Sequence, residues 1–102
     1  MIPQPGNIYA ETNETMKASP SDIIFIPDGR FLSLRFISKP ESLFRISSAG
    51  VTSLLRCFGI PEAINERLST ETRASLFNDL LETETGPLHI TLRQSEIVQF
   101  SC

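Results

Sequence analysis

The stretch that decides the fold is Ile23-Ile24-Phe25-Ile26-Pro27-Asp28-Gly29-Arg30-Phe31-Leu32-Ser33-Leu34-Arg35-Phe36. Its first four residues are β-branched or aromatic, which is typical of a strand. Pro27-Asp28-Gly29 predicts a turn, because proline fixes φ, aspartate bonds back to the backbone and glycine accepts positive φ. Apolar residues then alternate with polar ones, so one face of a second strand points inward. The stretch therefore predicts a β-hairpin over residues 23–37.

A second hairpin is predicted at the other end of the chain, over residues 88–101. Leu88, Ile90 and Leu92 alternate with polar residues, and Val98 and Phe100 do so again. This period of two is the pattern of half-buried strands. Between the two runs, Gln94-Ser95 predicts a turn that contains no glycine.

Helices are predicted between the two hairpins. Ser47 or Ser48 offers an N-cap oxygen to a first helix, which Gly59-Ile60-Pro61 ends. Ser69 or Thr70 begins the last helix, and Gly86-Pro87 stops it. Before the first helix, Lys39-Pro40-Glu41 is predicted to break the strand pattern. Residues 42–46 are then either a short strand or the approach to that helix. After Pro61, a short helix is predicted to bury Ile64 and Leu68.

Strands grouped at both ends of a helical middle predict the α+β fold class. The 102 residues fit one domain, which we place at residues 21–102. Its core is predicted to hold Leu54, Phe58, Phe77 and Leu81, enclosed by the two hairpins. Residues 1–20 are polar and contain three prolines, so they are expected to form an extended or flexible arm, either disordered or lying on a partner.

Cysteine usage and the chain start bear on location. Small secreted domains usually carry dense cysteine frameworks, whereas this chain has only Cys57 and Cys102. Both are therefore expected to be free thiols in a reducing compartment. Residues 1–5 lack the basic and apolar parts of a signal peptide, and no apolar run approaches the length of a membrane span. The expected location is cytoplasmic, meaning the host cell cytoplasm, or the virion if the chain is phage-encoded.

Charge is unevenly distributed along the chain. The net charge is −3, so no bulk attraction to nucleic acid is expected. Residues 1–29 and 74–102 each carry −3, and the middle carries +3 with arginine dominating. Arginine forks suit phosphate and carboxylate partners, although a normally solvated surface with internal pairs is the interpretation we favour.

The basic middle supplies candidate contact residues for nucleic acid or another partner: Arg30, Phe31, Arg35, Lys39 and Arg45. An aromatic side chain beside arginines on a strand face is the type of surface that stacks a single-stranded base. The alternative, which we favour, is that Phe31 and Ile37 pack under the N-terminal arm.

Catalytic and metal chemistry find little support in the sequence. The single histidine and the separation of the two cysteines leave no metal-ligand spacing, so neither a metal nor a cofactor is predicted. Cys57 and His89 are the only available nucleophile–base pair. Cys57 falls at a helix C-terminal end within an apolar stripe, where a buried structural cysteine is favoured over a reactive one. We therefore predict that the chain is not an enzyme.

A resemblance covers about half of the chain, from Ser47 to Phe100. Its features are the helix ending in Leu54-Leu55 and Gly59-Ile60-Pro61, the helix Leu76-Phe77-Asn78-Asp79-Leu80-Leu81, and the Leu92-Arg93 strand with its return through Val98 to Ser101. In these the chain resembles an uncharacterised phage- and plasmid-borne family of unknown function. The resemblance implies a mobile-element context and carries over no catalytic residue.

Three functional hypotheses follow. The first is a non-catalytic interaction module of phage or mobile-element type that works through protein–protein contacts, including a virion or assembly component. Its expected partner is another protein chain or a second copy, and no membrane partner is predicted. The second is a small nucleic-acid-binding accessory protein that uses the basic middle. The third, which we rank last, is a hydrolase that uses Cys57 and His89.

Overall fold

The computed structural model describes residues 13–102, which form a six-stranded sheet and three helices. The predicted α+β class is thereby confirmed. The strands are β1 (Glu14–Ala18), β2 (Ile23–Asp28), β3 (Phe31–Phe36), β4 (Lys39–Ile46), β5 (Leu88–Arg93) and β6 (Glu96–Ser101). The helices are α1 (Ser48–Phe58), α2 (Glu62–Asn65) and α3 (Thr70–Leu81), and a 3-10 turn spans Pro20–Asp22.

The strand order in the sheet is β1-β5-β6-β4-β3-β2. Both predicted hairpins are confirmed, as β2–β3 and β5–β6, and both are antiparallel. The two hairpins are joined through β4, which pairs antiparallel with β3 and parallel with β6. The parallel ladder is short, with Arg45 opposite Glu96 and Ile46 opposite Ile97.

The sheet bends so strongly that its two halves face one another. The ring of Phe25 in β2 lies 6.3 Å from that of Phe100 in β6. Three strand spacings of about 4.8 Å each would separate β2 from β6 by about 14 Å in a flat sheet. The half formed by β2, β3 and β4 therefore folds over the half formed by β1, β5 and β6, and the inward side chains of both halves meet.

The core lies between these halves and the helices. Phe77 of α3 is fully buried, and its ring centroid lies 5.7 Å from those of Phe25 and Phe58. Leu54 and Leu81 are buried as predicted, and Phe58 is partly buried against the core. The two hairpins thus enclose the expected residues, but as parts of one bent sheet.

The hairpin turns use left-handed backbone in two ways. Gly29 has φ of 63°, as its place in the first turn predicts. In the second turn, Gln94 and Ser95 have φ of 54° and 65°, which are the values of a two-residue type I′ loop. Side chains other than glycine occupy both positions, and the predicted glycine-free turn is confirmed.

Strand β4 corrects one prediction and decides another between its two alternatives. Lys39-Pro40-Glu41 does not break the sheet but begins β4, and residues 42–46 continue that strand. The turn lies earlier, because Asp22 holds Ser38: Asp22 Oδ1 accepts the Ser38 N–H at 2.9 Å, and Oδ2 accepts the Ser38 hydroxyl at 2.8 Å. The carboxylate of a distant residue therefore fixes the position of this turn.

The N-terminal arm is corrected over Glu14–Ala18, which form β1 and pair with β5 in continuous antiparallel register. Ala18 is 6% exposed, and Met16 packs against the core. The strand reads as polar because it is an edge strand with few inward-facing residues. The part of the arm prediction that concerns residues 1–12 lies outside the described residues.

Local caps define the helices. Ser47 Oγ accepts the Gly50 N–H at 3.0 Å, and Gly59 ends α1 at φ of 71°. Ser69 Oγ accepts the Thr72 N–H at 3.1 Å at the start of α3.

The predicted burial of Ile64 is wrong: the residue is 50% exposed, because α2 is a single turn with little packing. Within residues 13–102, no helix combines the length and the apolarity needed to cross a bilayer.

The cysteines correct another prediction. Cys57 and Cys102 form a disulfide, with Cα atoms 5.6 Å apart, so neither is a free thiol. Nothing in the sequence indicated this pairing, because the two cysteines are 45 positions apart. The bond joins the C-terminal end of α1 to the residue that follows β6.

Candidate functional site

The candidate site lies on the outward surface of β2, β3 and β4, which we call the open face. Register places its side chains in rows across the three strands: Arg35 lies opposite Ile24 and Leu43, and Ser33 lies opposite Ile26 and Arg45. Phe31 lies one row further along, opposite Asp28. Paired residues point to the same side of a sheet, so these side chains share one surface.

Large apolar side chains are exposed on the open face. Ile24 is 40% exposed, Phe31 45% and Leu43 41%. The corresponding outward surface of the other half of the sheet is polar, as the register shows, with Thr15, Lys17, His89, Thr91 and Gln99. Exposed apolar groups that cluster on one surface mark interaction sites more often than groups scattered singly. The two halves of the sheet therefore present chemically different surfaces to solvent.

Phe31, Arg45 and Glu96 form a stacked and ion-paired group at the end of the open face. The guanidinium carbon of Arg45 lies 4.7 Å from the centroid of the Phe31 ring. Arg45 Nη2 donates to Glu96 Oε1 at 2.7 Å. The side chains of Arg45 and Glu96 are 53% and 29% exposed, so the pair contributes at most about 1 kcal/mol to stability. Its main effect is to hold the guanidinium over the ring.

Two polar groups on the open face are buried without a partner. Ser33 is 1% exposed, although its side chain points outward, and its hydroxyl makes no hydrogen bond within the described residues. Arg35 Nε is likewise buried and unpartnered. An unsatisfied buried polar atom costs about 1–3 kcal/mol. Two further atoms of this kind, Asn65 Oδ1 and Arg73 Nε, belong to residues that line the neighbouring cleft.

A cleft of about 770 Å³ lies beside this group, where β3 begins and β4 ends. Arg30, Phe31 and Arg45 line it from the sheet, and α1, α2 and α3 close it from the other side. Its charges balance, with three arginines and three glutamates: Arg30, Arg45, Arg73, Glu62, Glu66 and Glu96. Arg73 is directed inward, because its Nη2 donates to the carbonyls of Asn65 and Leu68.

The structure brings together some of the predicted contact residues and separates others. Arg30, Phe31 and Arg45 meet at the cleft, and Arg35 lies further along the open face. Lys39 lies at the start of β4, opposite Phe36, and is apart from the other four. The five residues therefore do not form one basic patch.

The alternative interpretation of Phe31 concerns the N-terminal arm, most of which lies outside the described residues, so it stays a prediction. Phe31 and Ile37 are 45% and 57% exposed. The sequence-based selection also missed Ile24 and Leu43, although their period-two position was visible. Glu96 was missed too, and only the parallel register places it beside Arg45.

Catalytic use of the Cys57–His89 pair is excluded for the oxidised chain, because the Cys57 sulfur is bonded to Cys102 and cannot attack a substrate. His89 is exposed on β5, opposite Lys17 and Ser101 in the register. Among residues 13–102, no three histidine, cysteine or carboxylate side chains converge as metal ligands. Among the candidate sites in the described part of the chain, the open face, with its exposed apolar side chains and its arginines, is therefore the one that remains.

Comparison with known proteins gives no relative: no family model, no curated protein and no solved structure matches the chain. The resemblance to a phage- and plasmid-borne family therefore stays a prediction from the sequence.

Proposed function

We propose that the chain is a non-catalytic interaction module of phage or mobile-element type, acting through protein–protein contacts as a virion or assembly component. The observation that carries the proposal is the open face, where Ile24, Phe31 and Leu43 are exposed beside two arginines. Protein interfaces combine such an apolar and aromatic centre with a polar rim, and arginine is enriched in them. The expected partner is a protein chain with an apolar patch and acidic groups at its edge.

The charge distribution favours a protein partner over nucleic acid. Arg45 is already paired with Glu96, and the arginines and glutamates of the neighbouring cleft are equal in number. Phosphate binding depends on an excess of unpaired cations, and the net charge of the chain is −3. The stacking of Arg45 on Phe31 is the one feature that favours the alternative, a nucleic-acid-binding accessory protein.

The disulfide bears on location. The expectation of a cytoplasmic chain depended in part on free thiols, and that part of its support is gone. Disulfides persist in oxidising surroundings, which include virion surfaces. The bond between Cys57 and Cys102 therefore supports the virion as the place of action.

The test is capture of a partner through the open face. The tagged chain is expressed in the cell that encodes it, and the molar mass of its complexes is measured by size-exclusion chromatography with light scattering. We expect the wild type to migrate in a complex larger than the chain. Phe31→Ala with Leu43→Asp should release the chain, because both changes remove exposed apolar side chains of the open face that a partner would cover.

Ile64→Asp is the matched control, because Ile64 is equally exposed but lies on α2 and outside the open face. This variant should stay in the complex. Migration of the wild-type chain at its free mass would contradict the proposal. Binding of the purified chain to an oligonucleotide, with an affinity that falls steeply as salt rises, would favour the nucleic-acid alternative.

A further inference from the structure

The two outer strands of the sheet differ in how their free edges are protected. Along β2, Asn78 of α3 takes both backbone groups of Phe25: its Oδ1 accepts the N–H at 2.7 Å, and its Nδ2 donates to the carbonyl at 2.9 Å. Pro27 in the same strand has no N–H to offer. A further strand could not pair with this edge without displacing Asn78.

The edge formed by β1 has no such protection among the described residues. Glu14–Ala18 contain neither a proline nor a register shift, and β1 pairs only with β5. An unprotected edge strand presents a row of backbone donors and acceptors that can pair with another chain. β1 is therefore the edge at which the sheet can grow.

A groove of about 350 Å³ lies alongside β1. Its apolar lining comes from Met16 and Ala18 on one side and from Phe36 and Phe44 on the other. The first residues of β4 form the far wall, and β4 pairs with β6 only from Arg45 onward. Over residues 39–44, the side of β4 that faces away from β3 thus has no strand partner within the described part of the chain. Each wall of the groove is thus a strand that has one edge without a strand partner over these residues, and apolar side chains line the space between them.

The charges of the groove indicate the chemistry of its occupant. Lys17 and Lys39 line it, together with the carboxylate of Asp22. Asp22 keeps its negative charge, but both of its oxygens already accept hydrogen bonds from Ser38. Lys17, Lys39 and Asp22 therefore give the groove a net charge of +1, and the two lysines are the groups that a carboxylate of a ligand can meet.

We infer that this groove binds an extended segment of a partner protein as an additional strand along β1, with apolar and acidic residues alternating in the segment. Main-chain hydrogen bonds to β1 would provide the affinity of such a strand. Its apolar side chains would fill the groove, and its carboxylates would meet Lys17 and Lys39. The inference rests on the proposed function and deepens it, because it names a second surface and the type of segment that this surface accepts.

The test uses the full oxidised chain and three synthetic hexapeptides: alternating Glu-Val, alternating Lys-Val, and the Glu-Val peptide with alternate backbone nitrogens methylated. Binding is followed by the amide chemical shifts of the chain. We expect the Glu-Val peptide to bind with shifts centred on β1. The methylated peptide should bind at least about tenfold more weakly, because it lacks half of the backbone donors, and tenfold corresponds to about 1.4 kcal/mol.

Variants separate the groove from the open face. Lys17→Glu with Lys39→Glu should weaken the Glu-Val peptide at least about tenfold and favour the Lys-Val peptide, since the sign of both charges is reversed. Arg35→Glu on the open face is the matched control and should leave peptide binding unchanged. It should weaken the capture of the open-face partner, so the two proposals fail independently.

Three results of the peptide titrations would overturn the inference, and one result without peptide would do so as well. The first three are equal binding of the methylated and unmethylated peptides, shifts centred on the open face, and absence of binding by all three peptides. Shifts at β1 that depend on the concentration of the chain alone would also overturn it, and would assign the groove to a second copy instead.

Discussion

At the scale of single residues, Gly50 shows how closely α1 approaches the sheet. A Cβ atom at this position would lie 2.7 Å from the carbonyl oxygen of Ile97 and 2.8 Å from Cγ2 of Ile46. The carbonyl belongs to the backbone of β6 and cannot rotate away. Gly50 is therefore required by packing, although glycine inside a helix costs about 1 kcal/mol relative to alanine.

We expect Gly50→Ala to lower the free energy of unfolding by about 1–3 kcal/mol, because the overpacking at the sheet exceeds the gain in helix propensity. Urea denaturation monitored by circular dichroism measures the change. Gly86→Ala is the control: a Cβ there meets nothing within 4 Å, so stability should stay within about 0.5 kcal/mol. Equal stability of Gly50→Ala and wild type would show that α1 can move away from β6.

What the sequence predicted at this scale was local. The caps Ser47 and Gly59 were identified because their hydrogen bonds stay within a few residues of the helix end. The need for glycine at position 50 and the burial of Ser33 depend on strands far away in the chain. On the open face, alternation indicated which side of β3 carries Phe31 and Arg35. It could not indicate that Arg45 of the next strand would stack on Phe31.

At the scale of elements, the strands with the strongest apolar alternation were predicted, whereas β1 and the start of β4 were missed. β1 reads as an arm because only Met16 and Ala18 pack inward. β4 reads as a break because Lys39 and Pro40 begin it. Both become strands by pairing with a neighbour that is already formed, which local propensity does not describe.

Asn78 protects the edge of β2, and its loss should show at the level of this element. Asn78→Leu should lower the free energy of unfolding by about 1–3 kcal/mol, because the N–H and the carbonyl of Phe25 lose their partners. It should also increase light scattering at high concentration, as the freed edge pairs between chains. Asp79→Ala, at the next and exposed position, should change neither quantity appreciably. Unchanged scattering by Asn78→Leu would mean that Pro27 alone is enough to protect the edge.

At the scale of the whole molecule, the cysteine pair was the largest error of the sequence-based interpretation. Two cysteines are too few to suggest a disulfide framework from composition. The fold nevertheless brings the Cα atoms of Cys57, at the end of α1, and Cys102, after β6, to 5.6 Å from each other. The bend of the sheet could not be predicted from the sequence either, because it depends on a contact between Phe25 and Phe100, which belong to different predicted hairpins. Fold class followed from the grouping of strands and helices, but these long-range contacts did not.

Reduction of the Cys57–Cys102 bond should lower the free energy of unfolding by roughly 4 kcal/mol, the loop-closure value for the roughly 46 residues that the bond encloses. The measurement is urea denaturation with and without a thiol reductant, and Cys57→Ala with Cys102→Ala should reproduce the reduced value. The double variant should not respond to reductant, which controls for other effects of the thiol. Equal stability of the oxidised and reduced chains would contradict the expectation.

The parallel contact between β4 and β6 has a mechanical consequence. Two registered residue pairs join the halves of the sheet there, whereas β1 and β5 share five. The start of α1 spans this seam, since the Ser47 N–H donates to the carbonyl of Ile97 and the Ser53 hydroxyl accepts the Phe100 N–H. If force or heat detaches α1, the two halves of the sheet can separate from each other. Each half then keeps its own antiparallel hydrogen bonds. We expect the first step of unfolding to be a hinge opening along this seam, so that amides on both sides of it exchange together in hydrogen-exchange measurements.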